Sequence, residues 1–429
     1  MPRNRLRFVA SLIAVTIGAG LFAVAFRVSL AWMYGALYGH DNVVDSIGSL
    51  PWTLRAIPPI LGATVAGSVA RLRMTPSQGV SNVMEAIALG NVHLSLRTTV
   101  TRIISSWMAI AGGMSIGREG PLIEVGGALG AGIGRAAGVS LRQTRVLVAA
   151  GTAAGFAAAY NTPFAAAFFV VESIAGVAAP ELILPVMAGA AGAAVMMRMI
   201  VGGGPIYGER TFVLASNREL LFVAILGVAA AILTMAFKRV LGLFEQWSDR
   251  HPLPQPMRAL LGGALVGVIA MALPSVVGNG YEVINHILDA PVGAAALLVL
   301  IGAKVVATSG SVASGIPGGI FTPMLMVGAA LGAFWAHLIA GASVGSYALV
   351  GMAATAAASI HAPLTAAVMV FELSGDYGIV LPLVLVTVVS TSVSRALGTQ
   401  SVYETELRKR GLGWEVTLEG RRVYPPAAG

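Results

Sequence analysis

Two short segments combine glycine and proline in a pattern that could bind an anion. They are Ser115–Pro121 and Gly315–Pro323. In each, glycines lead to a proline that suits a first helical turn, and a glycine-spaced apolar helix is expected to follow. The start of such a helix offers unpaired backbone N–H groups and the positive end of the helix dipole, so it can bind an anion weakly. Weak binding suits permeation because the ion must also leave. The alternative is that these residues only help helices to pack.

Glu119 adds an acidic group to the first of these segments, at the expected start of its helix. When ionised, the carboxylate could occupy the anion site itself, and when protonated it could swing away. It would then act as a gate and as a proton carrier. The alternative is an ordinary helix N-terminal carboxylate that the dipole stabilises. We favour the gate because acids within a membrane are costly and are usually functional.

The elements that must position these groups are membrane helices. The chain of 429 residues is 56% hydrophobic and 11% charged, with a mean hydropathy of +0.82, whereas soluble domains are about 25% charged. The uncharged stretches Phe8–Phe26, Leu220–Phe237 and Ile379–Val393 approach the roughly 20 residues that a spanning helix needs. The sequence therefore predicts an all-α protein that crosses the lipid bilayer many times.

The distribution of charge bears on partners and on orientation. The net charge is +8, but the basic residues are dispersed, so we expect no nucleic-acid partner. Basic groups precede the first span and follow the last, which predicts two cytoplasmic termini, an even number of crossings and a location in the inner or plasma membrane. These residues are Arg3, Arg5, Arg7, Arg395, Arg408, Lys409 and Arg410.

Metal and enzyme chemistry find little support in the sequence. The chain has no cysteine, and its six histidines show no clustered spacing, so we expect no metal and no cofactor. An intramembrane enzyme would need converging nucleophile, base or metal ligands, but the serines and histidines are dispersed. A receptor would need a sizeable ligand-binding or signalling domain outside the membrane. Both classes are remote alternatives.

An internal repeat organises the chain. Ala150–Pro163 matches Val350–Pro363, and each match is followed at the same spacing by a glutamate, Glu172 or Glu372. The two glycine-proline segments also match each other. We therefore predict a transmembrane domain over 1–403, with repeats at about 30–200 and 215–400, and a short cytoplasmic tail over 404–429. The residues alone leave open whether the repeats are parallel or inverted.

These segments resemble a known family. Gly117–Pro121, Gly155–Pro163, Gly318–Pro323 and Ser359–Pro363 are similar to the signature segments of the CLC family of chloride channels and proton/chloride exchangers, and nearly the whole chain follows the family pattern in order. The resemblance implies a homodimer of all-α subunits. Each subunit would contain tilted and broken helices in two inverted-topology halves and its own pore, as in prokaryotic members without CBS domains.

The resemblance also implies roles for individual residues. Glu119 resembles the external gating glutamate. Tyr403 resembles the tyrosine whose hydroxyl coordinates the central ion, although by itself it would be interpreted as an interfacial anchor. The backbone amides that resemble the anion ligands are those of Arg118, Gly120, Ile320, Phe321 and Thr322.

The chain departs from the family pattern at two positions. Gln78, followed by Gly79, stands where the selectivity serine belongs, so nitrate, fluoride or a broader halide range stay open beside chloride. Ser173 stands where exchangers carry the internal proton-accepting acid. A serine cannot hold a proton as a carboxyl does, although a water chain could still reach Glu119. We expect the preceding Glu172 to cap local structure near the cytoplasmic vestibule rather than to carry protons.

The sequence thus predicts transport of small inorganic anions, with chloride as the first candidate. Glu119 and Tyr403 could form an outer and an inner gate, and for that reason we favour proton-coupled exchange. Passive conduction through the same pathway is the alternative, because channels of the family also lack the acid that is missing at Ser173.

Overall fold

The structure, a computed structural model, describes residues 2–72, 79–90, 92, 94, 96–204, 206–208, 218–290, 292–339, 341–409, 411–417 and 420–424. Gln78 and Arg410 lie outside the described residues. Helices dominate, as the predicted all-α class requires. The first half contains α1 (Pro2–Tyr38), α2 (Val43–Gly48), α3 (Ile57–Ala70), α4 (Val80–Leu89), α5 (Leu96–Ala111), α6 (Glu119–Ala136), α7 (Leu141–Tyr160), α8 (Pro163–Phe169) with a following π-helix (Val170–Ala175), and α9 (Pro180–Val201).

The second half continues with helices of similar length and ends in a short hairpin. Its elements are α10 (Glu219–Arg250), α11 (Gln255–Ala272), a 3-10 turn (Pro274–Val276), α12 (Tyr281–Asp289), α13 (Ala294–Ala313), α14 (Phe321–Ala336), α15 (Val344–Ile360), α16 (Pro363–Ser374), a 3-10 turn (Tyr377–Ile379), α17 (Val380–Ala396), α18 (Val402–Lys409), and the antiparallel strands β1 (Gly413–Thr417) and β2 (Gly420–Tyr424). Sequence reasoning expected only a polar tail after Tyr403 and missed both α18 and the hairpin.

Six helical segments among the described residues are long and apolar enough to cross a membrane. The three stretches predicted from hydropathy lie in α1, α10 and α17, so the prediction of a multi-spanning protein is confirmed. The six segments are Arg3–Gly48, Pro180–Val201, Glu219–Arg250, Gln255–Ala272, Ala294–Ala313 and Tyr377–Ala396.

Glycines let the central helices touch backbone to backbone. Gly126 of α6 lies against Gly151 of α7, and a Cβ on either would overlap the other's carbonyl. In the second half, Gly328 of α14 and Gly351 of α15 make the same contact. In hydrocarbon, such close van der Waals packing is a main source of helix association. The glycine spacing therefore serves packing as well as the helix starts.

Two glutamates cap helices of the opposite half. The carboxylate of Glu172 accepts hydrogen bonds from the backbone N–H groups of Leu364 (3.1 Å) and Thr365 (2.6 Å) at the start of α16. The carboxylate of Glu372 accepts them from Phe164 (3.1 Å) and Ala165 (2.8 Å) at the start of α8.

This exchange is reciprocal, as a pseudo-two-fold relation between the two halves would make it. Glu172 is thus a capping residue, as expected. The repeat boundaries near 30–200 and 215–400 stay predictions.

We expect Glu172→Gln to destabilise the fold without changing proton movement. The amide keeps one acceptor but loses the charge, which should lower the free energy of unfolding by about 1–2 kcal/mol. Thermal unfolding in detergent measures the loss, and paired ion fluxes measure proton movement. Glu372→Gln is the matched control, since it breaks the equivalent cap. Loss of proton movement in Glu172→Gln alone would contradict a purely capping role.

Candidate functional site

The starts of α6 and α14 meet through a backbone bridge. Gly117 N donates to Gly319 O at 2.7 Å, and Gly319 N donates to Gly117 O at 2.9 Å, in antiparallel register. The bridge holds the first turns of the two broken helices beside each other. A Cβ on either glycine would overlap the Glu119 carboxylate, so the motif glycines make room for that side chain.

Glu119 begins α6, but its side chain reaches the start of α14. Oε1 accepts hydrogen bonds from Phe321 N (3.1 Å) and Thr322 N (3.4 Å), and Oε2 accepts one from Thr322 Oγ1 (2.9 Å). The residue is only 2% exposed. The carboxylate therefore occupies the helix start that the sequence predicts as an anion site.

A column of aromatic rings links this position to Tyr403. When the Glu119 carboxylate is ionised, Thr322 Oγ1 donates a hydrogen bond to it, so the Tyr160 hydroxyl, 2.7 Å away, then donates to Thr322. Ring centroids then follow at 5.0 Å from Tyr160 to Phe156, 4.6 Å from Phe156 to Phe169 and 5.6 Å from Phe169 to Tyr403. Neighbouring rings thus form a continuous column between Glu119 and Tyr403, the predicted outer and inner gates.

A cavity of about 570 Å³, here called the main cavity, reaches from Glu119 to Tyr403. Gly79, the residue before α4, also lines it, so the starts of α4, α6 and α14 face one space. Lys409 and Glu245 also line the cavity, bind each other at 2.6 Å and are 46% and 26% exposed. The space therefore borders both partly exposed side chains and the buried carboxylate.

The structure brings most of the predicted anion-site residues together. Those that line the main cavity are Gly79, Glu119, Gly120, Ile320, Phe321 and Tyr403. Thr322 lies beside them through its hydrogen bonds to Glu119. Arg118 precedes α6, and its guanidinium lies over the ring of Tyr281, 5.9 Å from the centroid. Gln78 cannot be placed, because it lies outside the described residues.

Ser173 lies in the π-helix after α8 and is 3% exposed. Its Oγ has no hydrogen-bond partner among the described residues. The adjacent acid, Glu172, is engaged in capping α16.

Sequence reasoning missed two residues that shape the site, Tyr160 and Arg102. Tyr160 occupies a matched repeat position where the second half has Ile360. This break in the repeat is the signal that could have identified it. Arg102 lines the main cavity, and no repeat match in the sequence indicates that role.

The fold and the site define an integral membrane protein in which a buried carboxylate occupies the start of a broken helix beside a cavity. The chain belongs to the family described as voltage gated chloride channel, whose sequence model matches residues 61–395. The resemblance inferred from the motifs is therefore confirmed over most of the chain.

Curated relatives and solved structures agree with this family. A ClcB-like chloride channel protein of Ralstonia nicotianae is 39% identical over 405 residues, which cover 91% of this chain and 94% of the relative. The H(+)/Cl(-) exchange transporter ClcA of Salmonella paratyphi B is 29% identical, with 95% and 90% covered. The crystal structure of a slow cyanobacterial Cl-/H+ antiporter aligns with a TM-score of 0.85 at 24% identity, covering 94% of this chain and 97% of that one. At that identity, the last comparison supports the fold alone.

Proposed function

We propose that this protein moves small inorganic anions, chloride first, across the membrane in exchange for protons. The observation that carries the proposal is the Glu119 carboxylate seated on the first turn of α14. An anion that enters this position must displace the carboxylate, and protonation is the simplest way to release it. Anion passage and proton movement are thereby linked at one group.

Two further observations support a pathway with two gates. The main cavity contains Tyr403 as well as Glu119, which suits Tyr403 as the inner gate and as a ligand of the central ion. Gly120, Ile320 and Phe321 border the same space, which supports their backbone amides as proposed anion ligands. Arg118 and Thr322 are the remaining proposed amide ligands.

Passive conduction is the second candidate, and a specific observation favours it. Position 173 has a serine instead of an acid. The adjacent Glu172 carboxylate accepts hydrogen bonds from the backbone N–H groups of Leu364 and Thr365. A proton that enters from the cytoplasm would have to pass this region through water. Exchange and conduction therefore differ in whether protons reach Glu119 at each turnover.

The experiment that separates them is paired measurement of anion and proton flux from proteoliposomes under a chloride gradient. Uphill proton movement driven by chloride would support exchange. Chloride flux without protons would support a channel or uncoupled pore. Absence of chloride flux, with fluoride or nitrate flux in its place, would assign a different anion, and absence of all anion flux would reject the proposal.

We expect Gln78→Ser to shift the anion preference toward chloride. Gln78 directly precedes Gly79, which lines the main cavity, and serine offers a smaller hydroxyl donor. A change of one hydrogen bond predicts a shift of about fivefold in the permeability ratio of chloride to nitrate, measured by anion efflux. Gln246→Ser, at a glutamine elsewhere on the cavity lining, is the control. An unchanged permeability order would remove Gln78 from the pore.

The proposal also covers the membrane location, assembly and topology of the protein. We expect an inner or plasma membrane protein that forms a homodimer with one pore per subunit. Basic residues at both ends of the chain support cytoplasmic termini. The transmembrane domain would then span 1–403, with a cytoplasmic tail over 404–429.

A further inference from the structure

A buried ion pair stands beside the main cavity. Arg102 of α5 binds Glu124 of α6 through Nε and Oε2 at 2.8 Å, and the two side chains are 7% and 6% exposed. Glu124 belongs to the helix that begins at Glu119. Burying two charges is expensive, and such a pair gives little net stability compared with apolar residues of the same volume. A role in the ion pathway would account for its presence.

The two charges are not equivalent with respect to the cavity. Arg102 lines the main cavity with Gly79 and Glu119, whereas Glu124 is not among the described residues that line it. The Arg102 Nη2 atom lies 3.9 Å from the position of a Cβ on Gly79, so the guanidinium extends from Glu124 toward the start of α4. An anion in the cavity therefore meets the positive member first, and the negative member lies behind it.

We propose that Arg102 sets the anion affinity of the main cavity and that Glu124 is the counter-charge that keeps this affinity low enough for release. The proposal rests on the proposed anion transport and adds the residues that tune it. A guanidinium that is only 7% exposed and lacks a carboxylate counter-charge would hold an anion strongly. A carboxylate at 2.8 Å offsets most of that field, so the ion is attracted but can still leave.

Two other ion pairs in the chain serve as matched comparisons. Lys409 and Glu245 also line the main cavity, and their side chains are 46% and 26% exposed. Arg142 and Glu181 lie 3.5 Å apart and are 81% and 66% exposed. Solvent and salt screen exposed charges, so the effect of removing a carboxylate on anion affinity should decline in the order Glu124, Glu245, Glu181.

The test is calorimetric titration of the purified full chain with potassium chloride. We expect Glu124→Gln to bind chloride about tenfold more tightly and to turn over more slowly, because the guanidinium field is no longer offset. Arg102→Gln should bind about tenfold more weakly. Arg102→Gln/Glu124→Gln should fall between wild type and Arg102→Gln, and Glu181→Gln should match wild type.

A purely structural pair predicts a different pattern. Both single variants would then bind more weakly, and the double variant would recover. A folded, monodisperse Glu124→Gln that binds chloride no more tightly than wild type would overturn the proposal.

Arg102→Lys keeps the positive charge and tests the same idea if Glu124→Gln does not fold. Because lysine keeps the positive charge, affinity within about twofold of wild type supports the role of charge, and a tenfold loss contradicts it. If wild type itself binds no chloride, nitrate or fluoride, the proposed anion transport fails rather than the tuning alone.

Discussion

We expect Glu119→Gln to abolish proton movement while anion flux stays the same or rises. Glutamine is nearly isosteric with glutamate, but it can neither ionise nor carry a proton at neutral pH. Its amide oxygen accepts the hydrogen bonds of Phe321 and Thr322 more weakly than the carboxylate does, since charge-assisted bonds are about twice as strong. A loss of about 1.5 kcal/mol would raise the open fraction of the site by roughly tenfold.

Anion and pH electrodes on proteoliposomes measure both fluxes of this variant at once. Glu181→Gln is the matched control, because Glu181 also lies in the first turn of a helix but is largely exposed. It should leave both fluxes unchanged. Proton movement that persists in Glu119→Gln would remove Glu119 from the gate and from the proton path.

The second large effect is expected at the contact between α6 and α7. In Gly126→Ala, the new Cβ would overlap the carbonyl oxygen of Gly151. Backbone cannot rotate away as a side chain can, so the helices must separate along the stretch that carries Glu119. We expect a loss of about 3 kcal/mol or more in the free energy of unfolding, at the upper end of overpacking effects.

Fluorescence-detected size exclusion after heating measures this loss. Gly132→Ala is the control on the same helix, since a Cβ there meets nothing within 4 Å. It should be neutral or slightly stabilising, because alanine has a better helix propensity than glycine by about 1 kcal/mol. Equal stability of the two variants would mean that α6 and α7 do not pack through Gly126.

The two helix starts that meet beside Glu119 were predictable from sequence because they depend on glycine and proline in the backbone. Glycine and proline occur together within a membrane domain for only a few structural reasons. Ser115–Pro121 and Gly315–Pro323 contain both residue types at matched positions. The same argument identified Glu119 as the group at the site. Hydropathy likewise located α1, α10 and α17, since a spanning helix must be apolar over its length.

Contacts between distant parts of the chain were not predictable in this way. Glu172 and Glu372 stood out as a repeated pair, but no local rule indicates that each caps a helix of the other half. Arg102 and Glu124 belong to separate helices, and only their packing shows that the charges meet. Tyr160 belongs to the site because its hydroxyl lies within hydrogen-bond distance of Thr322 Oγ1. Each of these contacts depends on how the helices pack against one another. The hydrophobic periodicity of the sequence does not specify that packing.

The bridge between Gly117 and Gly319 limits how the protein can alternate access. Many transporters rock one repeat against the other about the substrate. Here such a rotation would break both backbone hydrogen bonds beside Glu119 and leave their N–H and C=O groups without partners at membrane depth. We therefore expect movement of the Glu119 side chain to change access more than a rotation of one half against the other would.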